Sequence, residues 1–241
     1  MQSYLKSGGV QKIVSKNNVS SDCAQTKWGY HDECMFDIFY NDIASENDSL
    51  FTVLFTLSSH EPYDVPFVGP YGTKTESQRC MNSYYYTDSC LNDFLTKLKK
   101  LPDWNDMLVI LVSDHGTRYG NVEVWDLPKF QIFMLWTGGA VSCEPFRYTN
   151  PSDQSDLSAT LLGALNINHD EYLFSEDLLK KEVPNAFYAF NHGYAFVKGP
   201  YWVIYDMNPD KFIYRGWDSE KLDEQAKAYA QKLAEYYEGL E

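Results

Sequence analysis

The sequence lacks any apolar run long enough to cross a membrane. A transmembrane helix needs about 20 consecutive apolar residues. The longest uncharged and largely apolar stretch, residues 130–143, is shorter than this and is interrupted by Gly138 and Gly139. The first residues, MQSYLK, also lack the charged start and apolar continuation of a signal peptide. From the sequence alone we therefore expect a soluble chain.

Basic residues are also scarce. Lys and Arg total 20 against 34 Asp and Glu, which gives a formal net charge of -14. A surface of this sign repels the phosphate backbone of DNA and RNA and disfavours docking on anionic lipid. The sequence also lacks a GxGxxG, a Walker A and a GxSxG motif, so a nucleotide-binding fold and a serine-hydrolase elbow have no support.

Cysteine is a minor component of the chain. The five cysteines are Cys23, Cys34, Cys80, Cys90 and Cys143. They form no CxxC pair, which disfavours a structural zinc site, and they are too few for a disulfide scaffold. The simplest interpretation is buried thiols, and cysteine usage leaves the compartment open.

What is present is a globular composition with strands and helices in alternation. Hydrophobic residues make up 44% of the chain. Residues 1–30 are polar and predict loops. The apolar run LFTVLFTL, residues 50–57, predicts a strand that is buried on both faces, as in parallel sheets. The other predicted elements are helices over 32–43, 78–100 and 155–165, and strands over 107–112 and 130–136.

The pattern changes after Pro184. Turn-forming residues separate short apolar segments there, which predicts a small antiparallel meander. The predicted fold class is α/β, with a mostly parallel sheet flanked by helices, then the C-terminal meander and a terminal helix. We expect an α/β core portion over 1–183, and the meander with its helix over 184–241. The last five predicted elements are strands over 187–190, 194–197, 201–205 and 211–214 and a helix over 218–240.

Two polar loops follow predicted strands at their expected carboxyl ends, where ligands gather in parallel α/β sheets. The loop SSHEPY, residues 58–63, contains His60, which can bind a phosphoryl or sulfuryl oxygen or act as a general acid. The second loop contains Asp114, His115 and Gly116. An Asp and a His suit a divalent metal ion, and the glycine permits the turn that would bring both side chains to it.

A simpler interpretation stays open for each loop. Asp114 can cap a turn beside a solvated His115, and a single loop histidine such as His60 is more often a surface residue. Arg118 is near enough in sequence to contact an anionic substrate, although a surface role is simpler for it as well. Because two such loops follow two predicted buried strands, a shared site is favoured over two unrelated loops.

An ordered set of motifs resembles the lipoteichoic acid synthase type of the sulfatase and alkaline phosphatase superfamily. Each motif is short, but their order and rough spacing match the family over nearly the whole chain. The resemblance implies an alkaline phosphatase-like fold. The motifs are WGYHD at 28–32, TLSSHEPY at 56–63, YTD at 86–88, VSDHG at 112–116, QSDLSATLL at 154–162 and FSEDLL at 174–179.

The resemblance implies a membrane-anchored enzyme on the extracytoplasmic face of the cell membrane. Such enzymes transfer a phosphoglycerol group from lipid or glycan substrates through a phosphothreonine at a metal site. It implies that Asp114 and His115 are ligands of a divalent metal ion (Mn, Zn or Mg). It also implies that His60 is the catalytic residue that contacts the substrate phosphate. Asp88 and Asp156 match family positions that we take to be structural.

The chain departs from the family in what precedes Trp28. The nucleophilic threonine, a further acidic metal ligand and the membrane helices have no counterpart there. We therefore expect the carboxyl-terminal part of a catalytic domain, with an incomplete metal site and no activity by itself. The alternatives are a sulfatase, whose CxPxR motif would also lie upstream, and a non-catalytic binding module. Strand edges left unpaired could join two copies as a homodimer, and a strictly monomeric sedimentation profile would count against that.

Overall fold

The computed structural model describes residues 2–17, 19, 22–116, 123, 125–180, 184–215 and 220–239. Contacts between Cα atoms divide the chain into two compact units. The first unit comprises residues 1–110 and 136–142, and the second comprises residues 111–135 and 143–241. Each unit has its own apolar core. The boundary at residue 184 that we drew from the sequence stays a prediction.

The first unit is built on two long helices that pack against each other. Its helices are α1 (Gln2–Ser7), α2 (Asp32–Ser45) and α3 (Glu76–Leu98). A capping box explains where α3 begins, because Thr75 Oγ1 accepts a hydrogen bond from Gln78 N while Gln78 Oε1 accepts one from Thr75 N. The core between α2 and α3 consists of Phe36, Tyr86, Cys90, Phe94 and Leu98.

The prediction of a strand over residues 50–57 is wrong, because this segment has no regular secondary structure. Leu54 packs against the core of the first unit, but Phe51 is 84% exposed and Phe55 is 72% exposed. No described strand pairs with the segment. A β-branched, apolar run only favours strand formation. The strand itself requires a neighbour that exchanges backbone hydrogen bonds with it.

Two short strands, β1 (Val109–Val112) and β2 (Met134–Thr137), form a two-stranded sheet. Both are shorter than the sequence predicted. β2 begins at Met134 and not at residue 130 as predicted, because the chain just before it forms a 3-10 turn over Leu127–Lys129. Phe130 N donates a hydrogen bond to Leu127 O in this turn, at 2.9 Å. The sequence pattern could not distinguish this turn from a strand, because an apolar residue such as Phe130 is compatible with both.

The second unit contains the meander that the sequence predicted. Its strands pair antiparallel in the order β3–β4–β5–β6. Left-handed backbone at His192 (φ 67°), Gly199 (φ 58°) and Asp210 (φ 53°) makes the three tight turns. The core combines Phe196 and Val203 of the sheet with Leu222 and Ala226 of the terminal helix. The elements are α4 (Asp156–Ala164), β3 (Asn185–Phe190), β4 (Gly193–Lys198), β5 (Tyr201–Asp206), β6 (Lys211–Arg215) and α5 (Glu220–Glu238).

Asp156 is a buried carboxylate that joins three parts of the second unit. It starts α4, its Oδ1 accepts a hydrogen bond from Glu176 N at 2.8 Å, and its Oδ2 accepts one from Asp153 N at 2.9 Å. Asp153 in turn accepts a hydrogen bond from Phe187 N of β3 at 3.3 Å. Burial, and then repulsion from Asp153, raise the pKa of Asp156 to about 7.

This raised pKa predicts a pH dependence of stability. Below a pH of about 4 Asp156 is protonated in both states, and its contribution is fully present. Between pH 4 and 7, roughly, the folded protein binds a proton that the unfolded chain has lost, so the free energy of unfolding falls with rising pH by up to about 1.4 kcal/mol per pH unit. We expect Asp156→Asn to flatten this slope in urea unfolding measured across that range. Equal slopes in the two proteins would contradict the assignment.

None of the helices in the described part of the chain combines the length and the apolar character that a bilayer-spanning helix needs.

Candidate functional site

The loop that carries His60 is held at its base by Asp32. Asp32 is the first residue of α2 and is 1% exposed. Its Oδ1 accepts hydrogen bonds from Leu57 N at 2.8 Å and from Ser58 N at 3.0 Å, while its own N donates to Ser58 Oγ at 3.0 Å. These bonds link the start of α2 to residues 57 and 58, so the loop leaves the core at a fixed point.

Helix α3 holds the same loop from another direction. Thr87 Oγ1 donates to Asp32 Oδ2 at 2.6 Å and lies 3.0 Å from Ser59 Oγ. The adjacent Asp88, which we took from the family resemblance to be structural, is exposed on α3. The side chain of the YTD motif that contacts the loop is therefore Thr87.

The imidazole of His60 is oriented by a single carbonyl oxygen. His60 Nδ1 lies 2.9 Å from Glu61 O, and Trp28 Nε1 donates to the same oxygen at 2.9 Å. The ring centroids of Trp28 and His60 are 4.9 Å apart. Because a carbonyl oxygen can only accept, His60 Nδ1 carries the proton, and Nε2 is the nitrogen that can face a substrate. His60 itself is exposed.

Asp114 and His115 lie together directly after β1. His115 Nε2 is 3.8 Å from Asp114 Oδ1, and the two side chains are 50% and 84% exposed. His115 Nδ1 lies 2.8 Å from Gly116 O, which leaves Nε2 beside the carboxylate. Gly116 is required here, since a Cβ atom at this position would lie 2.5 Å from Lys129 O. Asp114 Oδ1 also accepts a hydrogen bond from His115 N at 2.9 Å, a contact that equally fits the turn-capping alternative.

Asp114 and His115 are ligand types that suit a divalent metal ion, but two ligands are fewer than a complete site needs. A carboxylate oxygen and an imidazole nitrogen are suitable ligands, and about four ligands make a closed site. The residues that the structure describes contain no group of three or more His, Cys, Asp or Glu side chains arranged to hold a metal ion. Arg118 lies outside the described residues. His60 belongs to the first unit, and its convergence with Asp114 and His115 stays a prediction.

Sequence reasoning missed the residues that support the His60 loop. It assigned Asp32 only to the start of a helix and attached no role to Trp28 beyond the motif WGYHD. The signal was the spacing within that motif, which places an aromatic donor and a helix-starting carboxylate four residues apart. Thr87 gave no signal of its own, because its partner Asp32 is 55 residues away in the chain.

The interpretation of the five cysteines as buried thiols is wrong for three of them, Cys23, Cys34 and Cys143. Cys23 and Cys34 form a disulfide, with their Cα atoms 6.2 Å apart. Cys80 and Cys90 are buried thiols, as expected, and Cys143 is an exposed thiol. The sequence could not show the pair because disulfide formation depends on the Cα and Cβ geometry of the folded chain.

Comparisons with known proteins agree with this architecture. The model of the sulfatase family matches residues 1–167. A protein of the alkaline phosphatase superfamily from Vibrio parahaemolyticus is 21% identical, with a TM-score of 0.81 over 96% of this chain and 60% of that chain. Lipoteichoic acid synthase LtaP from Listeria monocytogenes is 15% identical, with a TM-score of 0.78 over 98% of this chain and 66% of that chain.

A third similar structure is Ps i-CgsB in complex with k-i-k-neocarrahexaose, at 13% identity and a TM-score of 0.64 over 98% of this chain. At these identities the likeness establishes the fold, so the predicted alkaline phosphatase-like α/β fold is confirmed. The chain spans 60% of the length of the Vibrio protein, 66% of LtaP and 61% of Ps i-CgsB.

Proposed function

The chain belongs to the sulfatase family, and on this premise we propose that it is the carboxyl-terminal part of a metal-dependent phosphoglycerol-type transferase. The observation that carries the proposal is the anchored loop at residues 58–63. Asp32 accepts hydrogen bonds from its backbone, Thr87 contacts the Ser59 hydroxyl, and Trp28 and the Glu61 carbonyl orient the His60 ring. This anchoring of the loop supports a functional role for His60, whose ring is exposed.

His60 is the proposed substrate-binding and catalytic group. With Nδ1 protonated toward Glu61 O, the neutral ring presents a lone pair at Nε2, and the charged ring presents an N–H there. The charged ring can donate that hydrogen bond to an anionic phosphoryl oxygen and so stabilise the negative charge that develops during transfer. It can also act as a general acid.

Asp114 and His115 are the proposed ligands for a divalent metal ion (Mn, Zn or Mg). Such an ion, when bound, polarises a phosphoryl oxygen as a Lewis acid. Asp114 supplies a negative charge that favours cation binding, and the contact of His115 Nδ1 with Gly116 O leaves Nε2 as the ring nitrogen that is proposed to bind the ion. A further acidic ligand and the nucleophilic threonine are expected from a longer protein that contains this chain.

The proposed substrate is an anionic lipid or glycan head group outside the cytoplasm, and the parent protein is proposed to be membrane-anchored. The Cys23–Cys34 disulfide supports this compartment, because disulfides persist mainly in oxidising, extracytoplasmic surroundings. The net charge of -14 does not attract such a substrate over long distances. Recognition would therefore depend on local positive charge at His60 and at the metal ion.

With Asp114 and His115 as the two proposed ligands among the described residues, the chain is expected to bind Mn²⁺ only weakly and to be inactive by itself. Calorimetric titration should show weak binding that Asp114→Ala removes, because that substitution takes away one of the two proposed ligands. Neither an aryl phosphate nor an aryl sulfate should be turned over. Turnover that Asp114→Ala abolishes would overturn the proposed inactivity, and Mn²⁺ binding that Asp114→Ala leaves unchanged would overturn the metal assignment.

A sulfatase is the second candidate, because the matching family model is that of the sulfatases. Its nucleophile would be a formylglycine made from the Cys of a CxPxR motif, and none of the five cysteines here lies in one. The third candidate is a non-catalytic binding module, and it is favoured because Asp114 and His115 are the two candidate ligands that the described residues offer, where about four make a site. The coding sequence upstream of Met1 discriminates the first two, since it should contain either a threonine nucleophile or a CxPxR motif.

A further inference from the structure

Trp28 and His60 converge on one backbone atom although they are distant in sequence. The Glu61 carbonyl oxygen is 2.9 Å from Trp28 Nε1 and 2.9 Å from His60 Nδ1. A carbonyl oxygen has two lone pairs and can accept both bonds at once. The two rings also contact each other at 4.9 Å between centroids, with their planes tilted by 56°. Trp28 therefore fixes both the acceptor that His60 uses and one side of its ring.

Trp28 is itself held by a tight turn. Thr26 N donates to Gly29 O at 2.7 Å, and Trp28 N donates to Thr26 Oγ1 at 3.2 Å. Lys27 Nζ lies 5.2 Å from the centroid of the Trp28 ring, which adds a cation–π contact. These bonds fix the backbone at Trp28, and Lys27 gives the indole a second neighbour besides His60.

The tautomer of a histidine is set by the hydrogen bond that one ring nitrogen makes. If the Glu61 carbonyl turns away, the Nδ1 proton of His60 loses its acceptor, and Nε2 can take the proton instead. A neutral His60 with its proton on Nε2 has its lone pair on Nδ1 instead, and that lone pair cannot hydrogen-bond a carbonyl oxygen. The Glu61 carbonyl must therefore keep its position if the proton of His60 is to stay on Nδ1 and Nε2 is to face outward.

We propose that Trp28 is a positioning residue for His60: its indole N–H holds the Glu61 carbonyl so that His60 carries its proton on Nδ1 and presents Nε2 outward. The importance of this for catalysis rests on the proposed function of His60. The positioning itself concerns only described residues of the first unit, and it can be measured without substrate, metal or activity.

The test is the tautomeric state of His60, measured by long-range 1H–15N NMR on the 15N-labelled chain at alkaline pH, where imidazole rings are neutral. In the unmodified protein we expect the Nδ1–H tautomer. Trp28→Phe keeps an aromatic ring beside His60 but removes the N–H. We expect this variant to lower the ratio of Nδ1–H to Nε2–H about fivefold, which corresponds to the loss of one ordinary hydrogen bond.

Two controls isolate the effect. Trp202→Phe removes a different indole, which stacks on Tyr214 in the second unit, and it should leave the His60 signals unchanged. His169, whose Nδ1 lies 3.1 Å from Ile167 O, should keep its tautomer in both variants. An unchanged His60 ratio in a folded Trp28→Phe protein would overturn the proposal. If that variant does not fold, an Nε2–H tautomer in the unmodified protein would overturn it as well.

Failure of the proposed function is distinguishable from failure of the positioning. Titration with inorganic phosphate should shift the His60 ring signals if His60 binds phosphoryl oxygens. A His60 tautomer ratio that falls in Trp28→Phe, without any response to phosphate, would contradict the role of His60 in substrate binding and support the positioning by Trp28. A response to phosphate with an unchanged ratio in Trp28→Phe would support the role in substrate binding and contradict the positioning.

Discussion

Asp32→Ala is expected to lower the free energy of unfolding by about 3–5 kcal/mol, because it leaves Leu57 N and Ser58 N without their common acceptor. The carboxylate is 1% exposed, so water cannot replace the lost bonds unless the loop opens. Small domains have only about 5–15 kcal/mol of net stability. The variant should therefore be close to unfolding, with the His60 loop released first. Urea unfolding gives the energy, and hydrogen exchange at the Leu57 and Ser58 amides gives the location.

Two neighbouring substitutions serve as controls for Asp32→Ala. Thr87→Val removes only the hydroxyl that donates to Asp32 Oδ2, and it should cost about 1 kcal/mol. Asp88→Ala removes an exposed carboxylate from α3, and it should change stability by no more than about 0.5 kcal/mol. If Asp32→Ala is as mild as Asp88→Ala, the carboxylate does not hold the loop.

The second large effect is expected on activity, in a protein where this chain is extended by its own upstream coding region. There, His60→Ala and Asp114→Ala should each lower kcat/KM by about 100-fold or more, since one removes the proposed phosphate-binding group and the other a proposed metal ligand. The two residues differ in how they respond to metal. Excess Mn²⁺ should partly restore a conservative Asp114→Asn variant and should not restore His60→Ala.

Stability separates this catalytic loss from a folding defect. His60 and Asp114 are exposed, so both alanine variants should unfold within about 0.5 kcal/mol of the parent protein. Full activity in either variant would remove that residue from the proposed site. Equal partial losses in both variants, with lowered stability, would point to a structural role for the two loops.

Local sequence signals predicted the elements that local chemistry determines. The helix predicted over residues 78–100 matches α3, because its apolar side chains recur at helical spacing along one face. The prediction started it two residues late, at Gln78, whereas the capping box of Thr75 and Gln78 starts it at Glu76. The meander follows from turn-forming residues such as His192 and Gly199 between short apolar segments. In both cases the deciding contacts join residues that are close in the chain, so the sequence pattern carries them.

The failures concern features that depend on distant partners. Residues 50–57 have the composition of a buried strand, yet no described strand pairs with them, and Phe51 and Phe55 are exposed. The Cys23–Cys34 disulfide depends on how the polar segment before Trp28 folds back on α2, which no spacing rule indicates.

The same limit applies to the candidate site. The motifs SSHEPY and VSDHG drew attention to His60, Asp114 and His115 because polar residues follow predicted strands there. The residues that orient His60 were not predicted, because Trp28 is 33 positions from Glu61 and Asp32 is 55 positions from Thr87. A motif thus draws attention to a candidate reacting group, whereas the residues that position this group are found only in the folded structure.

The most direct test of the central claim is the release of the glycerol phosphate head group from phosphatidylglycerol by the upstream-extended protein in the presence of Mn²⁺. We expect metal-dependent release that requires both His60 and Asp114, with no comparable hydrolysis of an aryl sulfate. Hydrolysis of the sulfate ester without release of the head group would contradict the transferase assignment. An in-frame stop codon directly upstream of Met1 would contradict the proposal that a longer protein completes the site.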